Sequence, residues 1–179
     1  MHVRTCNPVR HKTSTKKFQV GHVLIQSRVW WWAGPRRELI DPAIASYKGR
    51  IVKTTGDGML VEFASAVDAT TCAMFIQEKM AERNAKSSGP HIDFRIGINI
   101  GDIIIDGDDI FGDGVNVAAR VENECGPGGV YLSANAFEQV RSKTPYAFTD
   151  LGDLQVGGSP GGRPIMSETV NYCPWPPLR

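Results

Sequence analysis

The stretch Gly49 to Phe63, GRIVKTTGDGMLVEF, restricts what this chain can fold into more than any other. Apolar and polar side chains alternate up to Thr55. A Gly56-Asp57-Gly58 tip interrupts them, and Met59 to Phe63 resumes as a second short strand. Two runs of period-two residues meeting at such a tip predict a β-hairpin. Glycine reaches positive φ without steric cost, so the turn can be tight, with the Asp57 carboxylate held at its apex. A carboxylate in that position suits a magnesium ion, which prefers hard oxygen ligands and keeps water or phosphate on its remaining sites. A plain turn uses the same three residues, so the rest of the chain has to decide.

At 179 residues the chain fits one domain with a real core, and 41% hydrophobic with 22% charged residues is ordinary globular composition. The net charge of +1 conceals a division. Residues 1–37 hold eight Lys/Arg and no Asp or Glu, which leaves twelve basic against nineteen acidic residues in the remainder. The four cysteines, Cys6, Cys72, Cys125 and Cys173, show no CxxC or CxxxC spacing. This argues against a zinc site or a disulfide framework and for a reducing, cytoplasmic setting. No apolar run approaches the ~20 residues that cross a bilayer, and the segment from Val20 to Ala33 is too interrupted for a signal peptide.

Taken in order, residues 1–34 form a divergent basic segment expected to be disordered. A nucleic-acid or anionic-membrane contact through its cations and Trp30 to Trp32 is the rival reading, but no nucleic-acid module accompanies it. Leu39, Ile40, Ala43, Ile44 and Tyr47 then recur at helical spacing, with Pro42 as the start or a kink and Gly49 as the stop. After the hairpin, Ser65 to Asp68 opens a capped helix that runs to about Asn84. His91 to Ile100 alternates cleanly, with Phe94, Ile96, Ile98 and Ile100 on one face, and Ile103 to Ile105 reads as another strand. A helix from Val115 to Glu124 stops at the Gly126 to Gly129 run. A short strand Val130 to Leu132, a helix from Ser133 to about Val140 and a last strand from Tyr146 to Leu151 follow. Residues 156–179 are Gly/Pro-rich and read as a loose tail. The ordered part, 35–155, is a mixed α+β layer structure.

Three motifs stand in order: KTTGDGMLVEF (Lys53 to Phe63), FRIGINIGDII (Phe94 to Ile104) and DIFGDGVNVAAR (Asp109 to Arg120). Together they resemble the catalytic domain of class III nucleotidyl cyclases, most similar to bacterial adenylate cyclases, over about Arg36 to Gly152. The resemblance implies a ferredoxin-like α+β fold, with a mixed, mostly antiparallel sheet and helices on one face. It also implies a head-to-tail homodimer, or a heterodimer with another cyclase domain, whose active sites draw on both chains. The implied reaction converts ATP to 3′,5′-cyclic AMP and pyrophosphate, with two Mg²⁺ or Mn²⁺ ions as cofactors. Asp57 matches one of two metal-binding aspartates. Lys53 and Asp109 match the purine-selecting pair in its adenine form: an ammonium donates to a ring nitrogen and a carboxylate accepts from the exocyclic amine. Asn116 and Arg120 match the pair that orients the ribose and stabilises charge on the α-phosphate. Their four-residue spacing places both on one helix face.

Two elements of the pattern are not found. The other metal aspartate should stand on a first strand upstream of Leu39, where residues 1–37 hold no carboxylate; Asp41 lies too close to Asp57 in the chain. That first strand is therefore expected to be missing or replaced. No lysine follows Lys143 to contact phosphate near the C-terminus. A catalytically inactive cyclase-like module, binding nucleotide or pairing with an intact cyclase, is the alternative to an enzyme in its own right.

Overall fold

The hairpin forms as its residues dictate. Strand β2 (Gly49–Thr55) and strand β3 (Gly58–Phe63) pair antiparallel, closed by Thr55 opposite Gly58. Gly56, at φ +52°, supplies the left-handed turn residue. The computed structural model describes residues 19–27, 33–102, 104–106, 109–111, 113–155 and 167–173. The sequence readings for 1–18, including Cys6, for Trp30 to Trp32 and for the glycine-rich run after Gln155 lie outside the described residues.

The expected gap at the first strand is filled. Gln19–Ser27 forms strand β1, which pairs antiparallel with β3 on one side and with β4 (Phe94–Asp102) on the other. Its position in the sheet corrects, for Gln19–Ser27, the reading of residues 1–34 as a disordered segment. The physical reason lies in the alternation of Val23, Ile25 and Ser27, each 1% exposed, against Leu24 and Gln26 on the opposite face. The C-terminal end is corrected likewise: Ser167–Cys173, assigned to a loose tail, is strand β9. The main sheet has the order β2-β3-β1-β4-β7-β9-β8, where β7 is Val130–Ser133 and β8 is Thr149–Gln155. Among the described strands only β4 and β7 pair in parallel. A separate ribbon joins β5 (Ile104–Asp106) to β6 (Asp109–Phe111).

Short helical turns lead in: α1 (Ala33–Pro35), a π-helical stretch over Arg36–Ile40, then α2 (Asp41–Ser46) with Pro42 in its first turn. Helix α3 (Ala66–Lys86) is capped by Ser65, whose Oγ accepts from the Val67 and Asp68 amides at 3.2 and 3.4 Å. Gln77 on α3, buried, donates to the carbonyls of Phe94 and Gly129 and so fixes the helix to the start of the parallel strand pair. Helix α5 (Ala134–Val140) starts on Ser133, as its sequence indicates. The main core lies beneath α2, α3 and α5 and contains Val23, Ile25, Met59, Phe63, Phe94, Ile96 and Ile98. Burying each such side chain contributes roughly 1.5–3 kcal/mol.

Helix α4 (Asp113–Glu124) departs from the one-sided helix layer. Along β4, Phe94, Ile96 and Ile98 point into the core, so Arg95, Gly97 and Asn99 point to the other face. There α4 approaches the strand backbone closely. A Cβ on Gly97 would stand 2.5 Å from both the Ala118 carbonyl oxygen and the Glu122 amide nitrogen. Neither is the end of a flexible side chain, so a methyl group must push helix and sheet apart. Gly97→Ala is expected to lower the unfolding free energy by about 2 kcal/mol or more. Gly126→Ala, where a Cβ would meet nothing within 4 Å, should change it little. Urea unfolding followed by circular dichroism checks both.

Candidate active site

The site builds on the sheet face that α4 covers. Directly opposed residues of antiparallel strands share a face, so Leu24 with Leu60, and Gln26 with Gly58 and Arg95, mark this side. The β2–β3 register slips here: Ile51 faces Val61, yet Lys53 faces Leu60. Val52 is the extra residue of a β-bulge. Without it, Lys53 would share the core face with Ile51; with it, Lys53 is turned to the α4 side and stays exposed. Strand β6, which Asp109 opens, lies against β2. The strand carrying Asp109 is thus brought beside the strand carrying Lys53; the Asp109 side chain lies outside the described residues.

Helix α4 buries Val117, Ala118, Val121 and Glu122 and presents Asn116, exposed, and Arg120, half-buried, one turn apart. Its first turn is held from below. Asn99, 3% exposed, donates Nδ2 to the Gly114 carbonyl at 2.9 Å and accepts from Ser133 Oγ at 2.7 Å. A buried amide satisfied on both sides fixes α4, β4 and the start of α5 relative to one another. The position of Asn99 between Ile98 and Ile100, on the polar side of the alternation, gives no sign of this burial in the sequence.

Asp57 occupies the hairpin tip, half-buried, and its carbonyl accepts from the Ser27 amide at 2.9 Å. The β1–β3 pairing therefore extends to the turn itself. The Gln26 amide lies between two carboxylates. In one orientation its Nε2 donates to Asp57 Oδ2 at 3.3 Å and its Oε1 accepts from Arg95 Nη2 at 3.3 Å. Turned over, Nε2 donates to Glu122 Oε1 and Oε2 at 3.0 and 2.8 Å. The shorter contacts favour the second orientation, since the network decides the placement of an amide's O and N. Arg95 Nε lies 3.2 Å from Glu122 Oε1, an ion pair whose angle falls short of a hydrogen bond. Burial pushes the Glu122 carboxyl above its ordinary range; the Arg95 charge opposes that rise and Asp57 adds to it. Sequence reasoning passed over Gln26, Arg95 and Glu122. The available signal was Glu122, a carboxylate in register with the apolar stripe of Val117, Ala118 and Val121.

The donor set does not fit the two metal ions implied by the sequence resemblance. Glu122 is 1% exposed and neutralised by Arg95. Gln26 offers a neutral amide, which leaves Asp57 as the one uncompensated negative charge of this group. Among the described residues no set of three or more His, Cys, Asp or Glu is placed to hold a metal. Cys72 and Cys125 are buried thiols, each pushed up to about 12 by burial, and are unsuited to act as ligands or nucleophiles. Among the described residues no helix is long and apolar enough to cross a membrane.

Comparison with known proteins agrees with this architecture. Residues 37–172 match the family described as adenylate and guanylate cyclase catalytic domain. A Rhizobium meliloti (strain 1021) protein named "Putative adenylate cyclase 3" is 43% identical over 136 residues. The match covers 75% of this chain and 22% of that protein, so the chain spans about a fifth of its relative's length. A crystal structure of an adenylate/guanylate cyclase/hydrolase from Silicibacter pomeroyi superimposes with a TM-score of 0.78 at 37% identity, covering 89% of this chain and 99% of that one. The adenylyl cyclase CyaB from P. aeruginosa shares the fold at 18% identity, with a TM-score of 0.73 and coverage of 89% and 95%. The α+β sheet, the three motifs in register and these matches lead to one conclusion: this chain belongs to the adenylate and guanylate cyclase catalytic domain family.

Proposed function

We propose that the chain serves the cyclisation of ATP to 3′,5′-cyclic AMP and pyrophosphate, as the half of a two-chain active site that recognises the nucleotide and stabilises the transition state. One observation carries this reading: the bulge at Val52 turns Lys53 onto the face of the sheet covered by α4, the helix of Asn116 and Arg120, and beside the strand that Asp109 opens. Lys53 donates to a purine ring nitrogen and Asp109 accepts from the exocyclic amine, a combination that selects adenine. Asn116 holds the ribose so that its 3′-oxygen faces the α-phosphorus. The new 3′-O–P bond forms as the bond to the β-phosphate oxygen breaks, the 3′-hydroxyl proton passes to solvent and pyrophosphate departs. Arg120 stabilises the negative charge that grows on the α-phosphoryl oxygens, where a preorganised cation acts most strongly. The family implies that the partner in a head-to-tail pair supplies the two metal-bearing carboxylates. This chain's own Asp57 group does not supply them, so it acts with an intact cyclase domain. A self-sufficient homodimer is the second reading, favoured by the half-exposed Asp57 retained at the hairpin tip.

Complementation separates these readings. The purified chain alone is expected to make no cyclic AMP above background with Mg²⁺ or Mn²⁺. Mixed with a cyclase domain that keeps both metal aspartates but lacks its own Asn/Arg pair, it should restore turnover. Arg120→Ala should lower the restored rate about 10²–10³-fold, the usual cost of a lost oxyanion donor. Turnover by the chain alone that Asp57→Ala abolishes would establish the second reading, and no restoration would reject the first. Lys53→Glu, which replaces the donor by an acceptor, should weaken binding of a fluorescent ATP analogue and narrow or reverse its preference over the GTP analogue. Equilibrium fluorescence titration measures this.

A further inference from the structure

We propose that Gln26 replaces the second metal carboxylate of this half-site with a neutral amide, so that the site is set by charge against divalent cations. The inference rests on the reading of Asp57 as the surviving member of a metal-binding pair, and goes on to say what now stands in the other's place. Gln26 is located by two ladder pairings and by the hydrogen bond of its neighbour Ser27. It pairs with Gly58 in the β1–β3 ladder, next in sequence to Asp57; it pairs with Arg95 across β4; and the Ser27 amide binds the Asp57 carbonyl at 2.9 Å. The amide end therefore sits 3.3 Å from Asp57 Oδ2 and within 3.0 Å of the Glu122 carboxylate.

The charge count follows whichever way the amide is turned. Asp57 contributes one negative charge, while Glu122 and Arg95 compensate each other at 3.2 Å. A single divalent ion would leave an excess positive charge beside a guanidinium in a half-buried setting, and two ions would leave a larger one. The amide needs no cation: its N–H donates to one neighbouring carboxylate, and the β1 backbone holds the tip. Gln26→Glu keeps the size and shape of the side chain but puts a third carboxylate between those of Asp57 and Glu122. That cluster repels itself unless a cation enters, so the substitution creates a cation requirement that Gln26 removes.

Mn²⁺ binding without nucleotide tests this independently of catalysis and of the ATP reading. Electron paramagnetic resonance titration of the wild-type chain should show no saturable Mn²⁺ binding up to about 1 mM, the weak end of carboxylate cation sites. Gln26→Glu should bind about one Mn²⁺ per chain and gain thermal stability as Mn²⁺ is added, through ligand linkage. Adding Asp57→Asn to that variant should abolish both effects. Saturable Mn²⁺ binding by the wild type that Asp57→Asn removes would overturn the proposal. So would Gln26→Glu with native circular dichroism and no gain in Mn²⁺ affinity. If Gln26→Glu unfolds without metal, recovery of its native spectrum by Mn²⁺ supports the proposal, and recovery only by the further change Glu122→Gln counts against it. Failure of the ATP reading would appear in the nucleotide titrations and leave these outcomes unchanged.

Discussion

The contact on which the site depends is the seating of α4 on the bare backbone of β4 at Gly97. Where a side chain would normally space a helix from a sheet, hydrogen alone separates them here, and the Ala118 carbonyl and Glu122 amide occupy the space that a Cβ would need. Everything on that face takes its coordinates from this approach. Asn116 and Arg120 are displayed one turn apart, Glu122 reaches Arg95 and Gln26, and Asn99 can bridge the first turn of α4 to Ser133. The opposite face is built by ordinary apolar burial. The two sides of β4 thus perform different tasks with alternate residues of a single strand.

Much of this was legible from residue order alone. The Gly-Asp-Gly hairpin, the cap at Ser65, the alternation from Phe94 to Ile100 and the helix carrying Asn116 and Arg120 are local patterns, and each formed near its expected bounds. The central strand was not legible. Its nine residues lie in a segment whose basic, carboxylate-free composition resembles an unfolded arm, and only the short alternation of Val23, Ile25 and Ser27 signals otherwise. Strand β9 was hidden in the same way by its Gly/Pro-rich surroundings. Both are recruited by long-range pairing, which a local reading cannot weigh.

The candidate site residues divide along a similar line. Lys53, Asp57, Asn116 and Arg120 belong to motifs and could be named in advance. The bulge that aims Lys53 is a mismatch between two strands and exists only once they pair. Gln26, Arg95 and Glu122 come from three separated elements, so their meeting is a product of the fold. The sequence shows no carboxylate upstream of Glu38, and the fold sets Gln26 beside Asp57.

The parallel pairing of β4 with β7 bears on how such a domain can change over time. Parallel neighbours need a crossover, and here it carries β5, β6 and α4, with Asp109, Asn116 and Arg120 along its length. Both ends are anchored by adjacent strands, through Ile96 opposite Val130 and Ile98 opposite Leu132. The β5–β6 ribbon can therefore lengthen, shorten or exchange residues such as Asp109 without re-registering any strand of the main sheet. The residue proposed to read the base is free to change on this tether, while the seating of α4 on Gly97 holds Asn116 and Arg120 in place.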